Sequence, residues 1–326
     1  MKLIQLHIRF IGTIFVATNF VFTACESKNK EKTRVFNAIS LQDSVILDFP
    51  LIRFQEHYGK MYAYDYYDKS IVQVDKRFEV IDRLGSFGDG PKENLLVRNY
   101  EVLPSRLVAI FDVEKNTFKI QDFQDSVYLY QKFDFAIEGG VYLEDSSLFT
   151  VSIEDKSRLN FAKYSIEESQ SQPIKVINDL FQEDYSALIY QGKILSNRDK
   201  LIFTSYFSSF WFVFDKNNSG VKFGSYLQDY QKPNVLEVGN MMMLEDAPEL
   251  IYDSFISDNR IFIISNIGHV DYPDQRILDI YDLEFNYLKS YPLPNLNDTT
   301  PDEGFSVSGS NVAILYEDTL FFFKLN

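Results

Sequence analysis

Cysteine is almost missing from this chain of 326 residues: Cys25 is the only one. A single thiol can neither close an intrachain disulfide nor build a zinc–thiolate cluster. Histidine is nearly as scarce, with three in all, and His57 and His269 are more than 200 residues apart. A multi-histidine metal centre is excluded by count. The sequence holds no H-E-x-x-H zinc motif, no G-x-S-x-G nucleophile elbow and no glycine loop ending in G-K-[ST]. Basic charge is short as well, with 32 Lys and Arg against 47 Asp and Glu, a net charge of −15. That balance excludes a nucleic-acid binder, which needs a basic face to neutralise phosphates. It equally excludes docking on an anionic membrane through protein charge. Past residue 25 no long apolar segment has a 3.6-residue period, and residues 177–188 have room for only a turn or two of helix.

Aromatic residues, by contrast, are abundant. Phe (30) and Tyr (21) bring the aromatic share to 16%, and such side chains favour pleated, half-buried surfaces. The first 24 residues stand apart from the rest. Lys2 and Arg9 form a basic start, and residues 10–24 form a largely apolar run. That run suits a signal peptide and is short for a membrane span, which needs about 20 residues. It ends Val21-Phe22-Thr23-Ala24-Cys25, which resembles a bacterial lipobox, with Phe22 where Leu is usual. The resemblance implies cleavage before Cys25 and acylation of its thiol and new amino group. Residues 25–34 then form a lipidated, polar tether, and loss of Lys2 and Arg9 takes the net charge from −15 to −17. Glu26 follows the cysteine, which favours the outer membrane of the cell envelope.

Within residues 35–326 one unit recurs. Residues 59–76, G-K-M-Y-A-Y-D-Y-Y-D-K-S-I-V-Q-V-D-K, lie without a gap over residues 199–216, matching Lys60 to Lys200, Tyr66 to Tyr206 and Asp75 to Asp215. Residues 106–122 form a third copy, with Asp112 on Asp65 and Asp122 on Asp75. Weaker copies are residues 147–164, 260–282 (with an insertion) and 311–325. Each has two short apolar runs joined by a polar turn, as in a hairpin. Near-continuous apolar character suits strands covered on both faces. The mean spacing of about 50 residues is that of a four-stranded propeller blade. The predicted fold is therefore an all-β, six-bladed β-propeller of four-stranded antiparallel blades. Residues 35–49 are expected to pair into the last blade, which otherwise lacks a strand, and so to remove exposed edges.

Residues 84–93, L-G-S-F-G-D-G-P-K-E, resemble the G-x-x-G-x-G-P-x-E segment after the first blade of six-bladed β-propeller lipoproteins related to NHL-repeat proteins. Gly85, Gly88, Gly90, Pro91 and Glu93 all match, and Lys92 replaces a frequent Gly. The aspartate spacing Asp65–Asp75 and Asp112–Asp122 is similar to that family's repeat core. The resemblance implies a fold and an envelope address, and no reaction.

Candidate site residues are few. Glu93 is a candidate ligand contact facing the central channel, against a purely structural role for its glycine-rich turn. Tyr206, Phe207 and Phe210 cluster with Trp211 around one hairpin tip. There they would stack on sugar rings or anchor a protein partner, or else fill a gap between blades. Grouped carboxylates such as Asp65/Asp68, Asp271/Asp274 and Glu245/Asp246 are read as turn acids, with a calcium site of loop oxygens as the special case. Residues 226–250, with Met241–Met243, are the longest stretch without a repeat and a candidate lid or partner contact. The expected function is non-catalytic binding of a glycan, peptide or protein partner. The alternative is a propeller hydrolase or lyase using channel carboxylates, with or without calcium.

Overall fold

The six sequence copies are the middle hairpins of six four-stranded antiparallel blades. The computed structural model describes residues 33–326, apart from positions 49, 58, 144, 145, 218, 228–230, 258, 297, 298 and 309. The signal peptide, Cys25 and all of the tether before residue 33 lie outside the described residues. In the first blade the strands are Leu51–His57, Lys60–Asp65, Ser70–Val74 and Val80–Leu84, so the repeat covers the second and third. Those middle strands have a neighbouring blade on each face. Ser70–Val74 is accordingly buried along its whole length, whereas the outer strand of blade 3, Gln170–Pro173, is fully exposed.

The aspartates that mark the repeat have a local cause. Asp65 Oδ1 accepts the backbone N–H groups of Tyr67 and Asp68, each at 3.1 Å, and closes the turn between the second and third strands. Asp75 closes the next turn, accepting from Arg77 N at 2.8 Å and Glu79 N at 3.0 Å. Asp122 and Asp282 repeat the second pattern. In these three turns the residue three beyond the aspartate (Phe78, Asp125, Phe285) is left-handed, with φ between 59° and 64°. The side-chain oxygen holds the turn in that costly conformation.

Six apolar clusters fill the six junctions between blades. Side chains alternate between them with the period of two of a strand: Ile110 faces blade 1, while Ala109 and Phe111 face blade 3. The junction of blades 3 and 4 is an aromatic wedge of Phe149, Phe161, Phe203 and Phe212. Between blades 4 and 5, Trp211 stacks on Phe285 with ring centroids 4.2 Å apart. The ring closes as expected. Ile39–Ile46 pairs antiparallel with Thr319–Leu325 as the outer strand of the last blade, from Ile39 opposite Leu325 to Ile46 opposite Thr319. The helical content of the connection between blades 3 and 4 is two single turns, Lys175–Asn178 and Ser186–Ile189.

Candidate functional site

Antiparallel alternation places the start of every inner strand at one end of the ring, together with the turn after every second strand. The inner strands line a central cavity of about 640 Å³, from Ile52 and Tyr252 near that end to Glu56 and Ser257 at the other, a size typical of ligand sites (roughly 300–1,000 Å³). The first charged residue of every inner strand lies in the cavity wall: Arg53, Arg98, Glu138, Lys193, Asp253 and Glu303, in blade order, and Glu56, Glu101 and Asp302 add three more carboxylates. The wall thus has three cations and six carboxylates; of the three added carboxylates, Glu56 accepts Gly59 N, Asp302 pairs with Arg276, and Glu101 also has a partner.

Backbone irregularity aims several of them. The inner strands of blades 1, 2, 3 and 5 each carry a bulge near their start, where Arg53, Arg98, Glu138 and Tyr252 are extra residues in the register. A bulge leaves its extra residue unpaired and re-aims its side chain. Arg53 has φ 55° and is the only non-glycine residue inside a described strand with a left-handed backbone. That conformation costs about 1–2 kcal/mol. Neighbouring blades hold it: the Tyr100 hydroxyl donates to Arg53 O at 2.7 Å, and the Glu303 carboxylate accepts the Arg53 N–H. The Arg53 guanidinium in turn donates to Val97 O.

Opposite, Lys193 Nζ meets Asp253 Oδ1 at 2.6 Å, and Asp253 Oδ2 accepts Gly304 N at 3.1 Å. Burial pulls the Lys193 ammonium down, but the Asp253 and Glu303 carboxylates outweigh it and raise its pKa above the ordinary lysine value. Burial, then the nearby Asp253 charge, pushes the Glu303 carboxyl up to about 7, against the opposing pull of Lys193 and Arg53. The Tyr206 phenol is also raised, chiefly by burial.

A stability signature follows from Glu303. Its proton is held more tightly in the folded ring than in the unfolded chain, so its ionisation opposes folding. The contribution to stability is therefore highest below pH 4.5 and is lost as pH rises towards about 7. Each pH unit in that window removes at most about 1.4 kcal/mol. Glu303→Gln is expected to abolish this slope and to gain roughly 1–3 kcal/mol over the parent above pH 7. The check is urea denaturation of both proteins from pH 4.5 to 8; parallel curves would mean that Glu303 titrates normally.

Of the candidates read from the sequence, Tyr206 lies in the channel wall. Phe210 does not; it packs into the aromatic wedge against Phe181 and Tyr190, with ring centroids 5.4 Å away in each case. Phe207 is half-buried and is not among the channel-lining residues. Glu93 is not in the wall either. Its carboxylate accepts Gly90 N at 2.7 Å, and a side chain at Gly88, where φ is +153°, would collide with it. Lys115 and Lys119 fasten the same loop by donating to the carbonyls of Gly90, Pro91 and Glu93. That segment is a structural turn. Residues 226–250 carry an inserted hairpin, Asn234–Val238 with Met241–Glu245, whose Leu236, Val238, Met241 and Met243 are exposed on one face. Met241 and Met243 are thus not strand-core residues. Among the described residues, no three His, Cys, Asp or Glu side chains converge as a metal-binding group.

The five ring residues other than Arg53, and Arg53 itself, escaped the sequence reading because they precede the repeated hairpin. A signal was present. Each is a charge seven to nine residues before the start of its blade's second strand, and all but Glu303 have an apolar neighbour in the chain.

No family model matches this chain, and no curated protein does. Its fold does have solved counterparts. A DUF4221 family member from Bacteroides vulgatus superposes with a TM-score of 0.57 at 12% identity, covering 88% of this chain and 97% of the other. A Bacteroides fragilis protein described as exported gives 0.57 at 12% identity, covering 90% and 97%. A streptogramin B lyase gives 0.52 at 10% identity, covering 88% and 98%. At such identities the likeness is one of fold: this chain is a six-bladed β-propeller.

Proposed function

We propose that the protein is a non-catalytic binding module of the bacterial envelope, anchored through a lipidated Cys25, which takes its ligand at the charged mouth of the channel. The observation that carries this reading is the set of nine charged side chains, drawn from all six blades, that line a cavity of about 640 Å³. Part of that set is unpaired, as a recognition surface requires. The address rests on the lipobox-like sequence, on the NHL-like family resemblance, and on the fold shared with a protein described as exported. Among the described residues no helix is long and apolar enough to cross a membrane. The outer membrane is the favoured side of that address, given Glu26.

The partner is a glycan, a peptide or an envelope protein, and a screen of full-length protein in detergent against glycan and peptide arrays tests it. Saturable binding that disappears in Arg98→Glu supports the module. Turnover of a substrate without any retained ligand sinks it. Cys25→Ala is expected to release the protein from the membrane fraction.

One observation favours a second reading, the hydrolase or lyase. Glu303, pushed up to about 7 beside Asp253, has the protonation behaviour of an acid–base group. On that reading Glu303→Gln abolishes turnover and leaves binding in place.

A further inference from the structure

The ring of charges is satisfied on one side and open on the other. On the satisfied side Lys193 and Asp253 close an ion pair, and the Glu303 carboxylate takes the Arg53 N–H. On the open side stand Arg98 of blade 2 and Glu138 of blade 3. Among the described residues neither side chain makes a hydrogen bond or an ion pair, although they come from adjacent inner strands. Their backbones are close: a Cβ placed on Gly139 would lie 3.6 Å from Arg98 Cγ. The two strands are also strapped together. Asn99 Nδ2 donates to Gly140 O, and Gly140 N donates back to Asn99 Oδ1 at 3.4 Å. One cation and one anion, on adjacent strapped strands, thus line the same cavity. Tyr206, whose hydroxyl has no hydrogen-bond partner among the described residues, lines the same space from blade 4.

We infer that the ligand is a zwitterion of the amino-acid type, an α-amino acid or short peptide whose carboxylate binds Arg98 and whose ammonium binds Glu138. This rests on the reading of the channel mouth as a binding site. The chemistry discriminates between ligand classes. A neutral sugar would desolvate both charges without matching either, and a buried charge left unmatched is costly. A polyanion would meet Glu138, and a polycation would meet Arg98. A carboxylate suits the planar fork of a guanidinium, which grips it through two parallel hydrogen bonds. The cavity exceeds what a single amino acid fills, leaving room for a peptide of a few residues.

Calorimetric titration of the full-length protein in detergent tests this with five probes: alanine, trialanine, N-acetyl-trialanine, trialanine amide and maltotriose. Alanine or trialanine is expected to bind, and blocking either terminus to weaken binding about 10- to 100-fold, as for a charged hydrogen bond lost. The variants give the sharper readout. Arg98→Gln should bind trialanine and its amide equally, and Glu138→Gln should bind trialanine and its N-acetyl form equally. Both should melt with the parent, since neither side chain holds the fold. Binding of maltotriose in place of the peptides, or peptide binding indifferent to the termini, overturns the inference and leaves the channel reading standing. If no probe binds and the array screen is also empty, both fall.

Discussion

Phe161→Ala is expected to remove about 3–5 kcal/mol of stability, a large fraction of what a domain has. Phe161 is fully buried at the junction of blades 3 and 4. Its ring lies 5.0 Å from Phe181, 5.4 Å from Phe212, 5.7 Å from Phe203 and 6.0 Å from Phe149, mostly edge-on or tilted. Truncation forfeits the transfer energy of the ring and leaves a hole that four rigid aromatic neighbours cannot close. The edge-to-face contacts are lost besides, each worth about 0.5–1.5 kcal/mol. Phe161→Leu, which keeps much of the volume, should cost less than half as much. Chemical denaturation reads both. A loss below about 1 kcal/mol for the alanine variant would mean that this junction is loosely packed and that ring closure elsewhere holds the blades.

The same wedge gives seven of the phenylalanines a packing role. Blades splay outward from the channel, and the gap between two of them widens with radius. Phe161, Phe203 and Phe212 on the middle strands fill that gap, and Phe181 from the connecting segment closes it. Phe210 belongs to this group, which is why its aromaticity pointed to packing and not to a ligand.

The contrast between legible and illegible parts has a physical basis. Second and third strands pack against two blades at once, and their turns are capped by aspartates. Asp75, Asp122 and Asp282 therefore recur at the same turn of their blades, and the repeat can be followed along the chain. Inner strands obey a different constraint. Facing each other across the channel, they are free to differ, and in blade order the first charged residue of each runs Arg, Arg, Glu, Lys, Asp, Glu. What they share is position at the strand start and, in four blades, a bulge, which no residue type announces. Arg53 shows the limit most clearly. Its left-handed backbone depends on Tyr100 and Glu303, 47 and 250 residues away. Glu93 is the converse case: of its two readings, ligand contact or structural turn, its carboxylate's bond to Gly90 N within its own loop supports the second.

Arg34→Met is expected to cost about 3–5 kcal/mol, as for any buried ion pair broken on one side. Arg34 is 8% exposed and Asp279 2%. The guanidinium donates to Asp279 through Nε at 3.0 Å and Nη2 at 2.8 Å, and to Ile267 O at 2.7 Å. The arginine variant strands Asp279 in the protein interior with the Ser290 hydroxyl as its remaining side-chain donor. The damage would not stay local. Residues 34–38 run along the outer edge of blade 5, where Asn37 N bonds Ser290 O and Ser290 N bonds Val35 O, before the chain enters the last blade at Ile39. Loosening this clasp frees the segment that delivers the closing strand. The double variant Arg34→Met, Asp279→Leu separates the two effects. It removes the stranded charge but keeps the clasp broken, so recovery of most of the loss assigns the cost to Asp279. If the double variant is as unstable as the single one, the clasp itself holds the ring closed, and protease cleavage near residue 38 should rise in both.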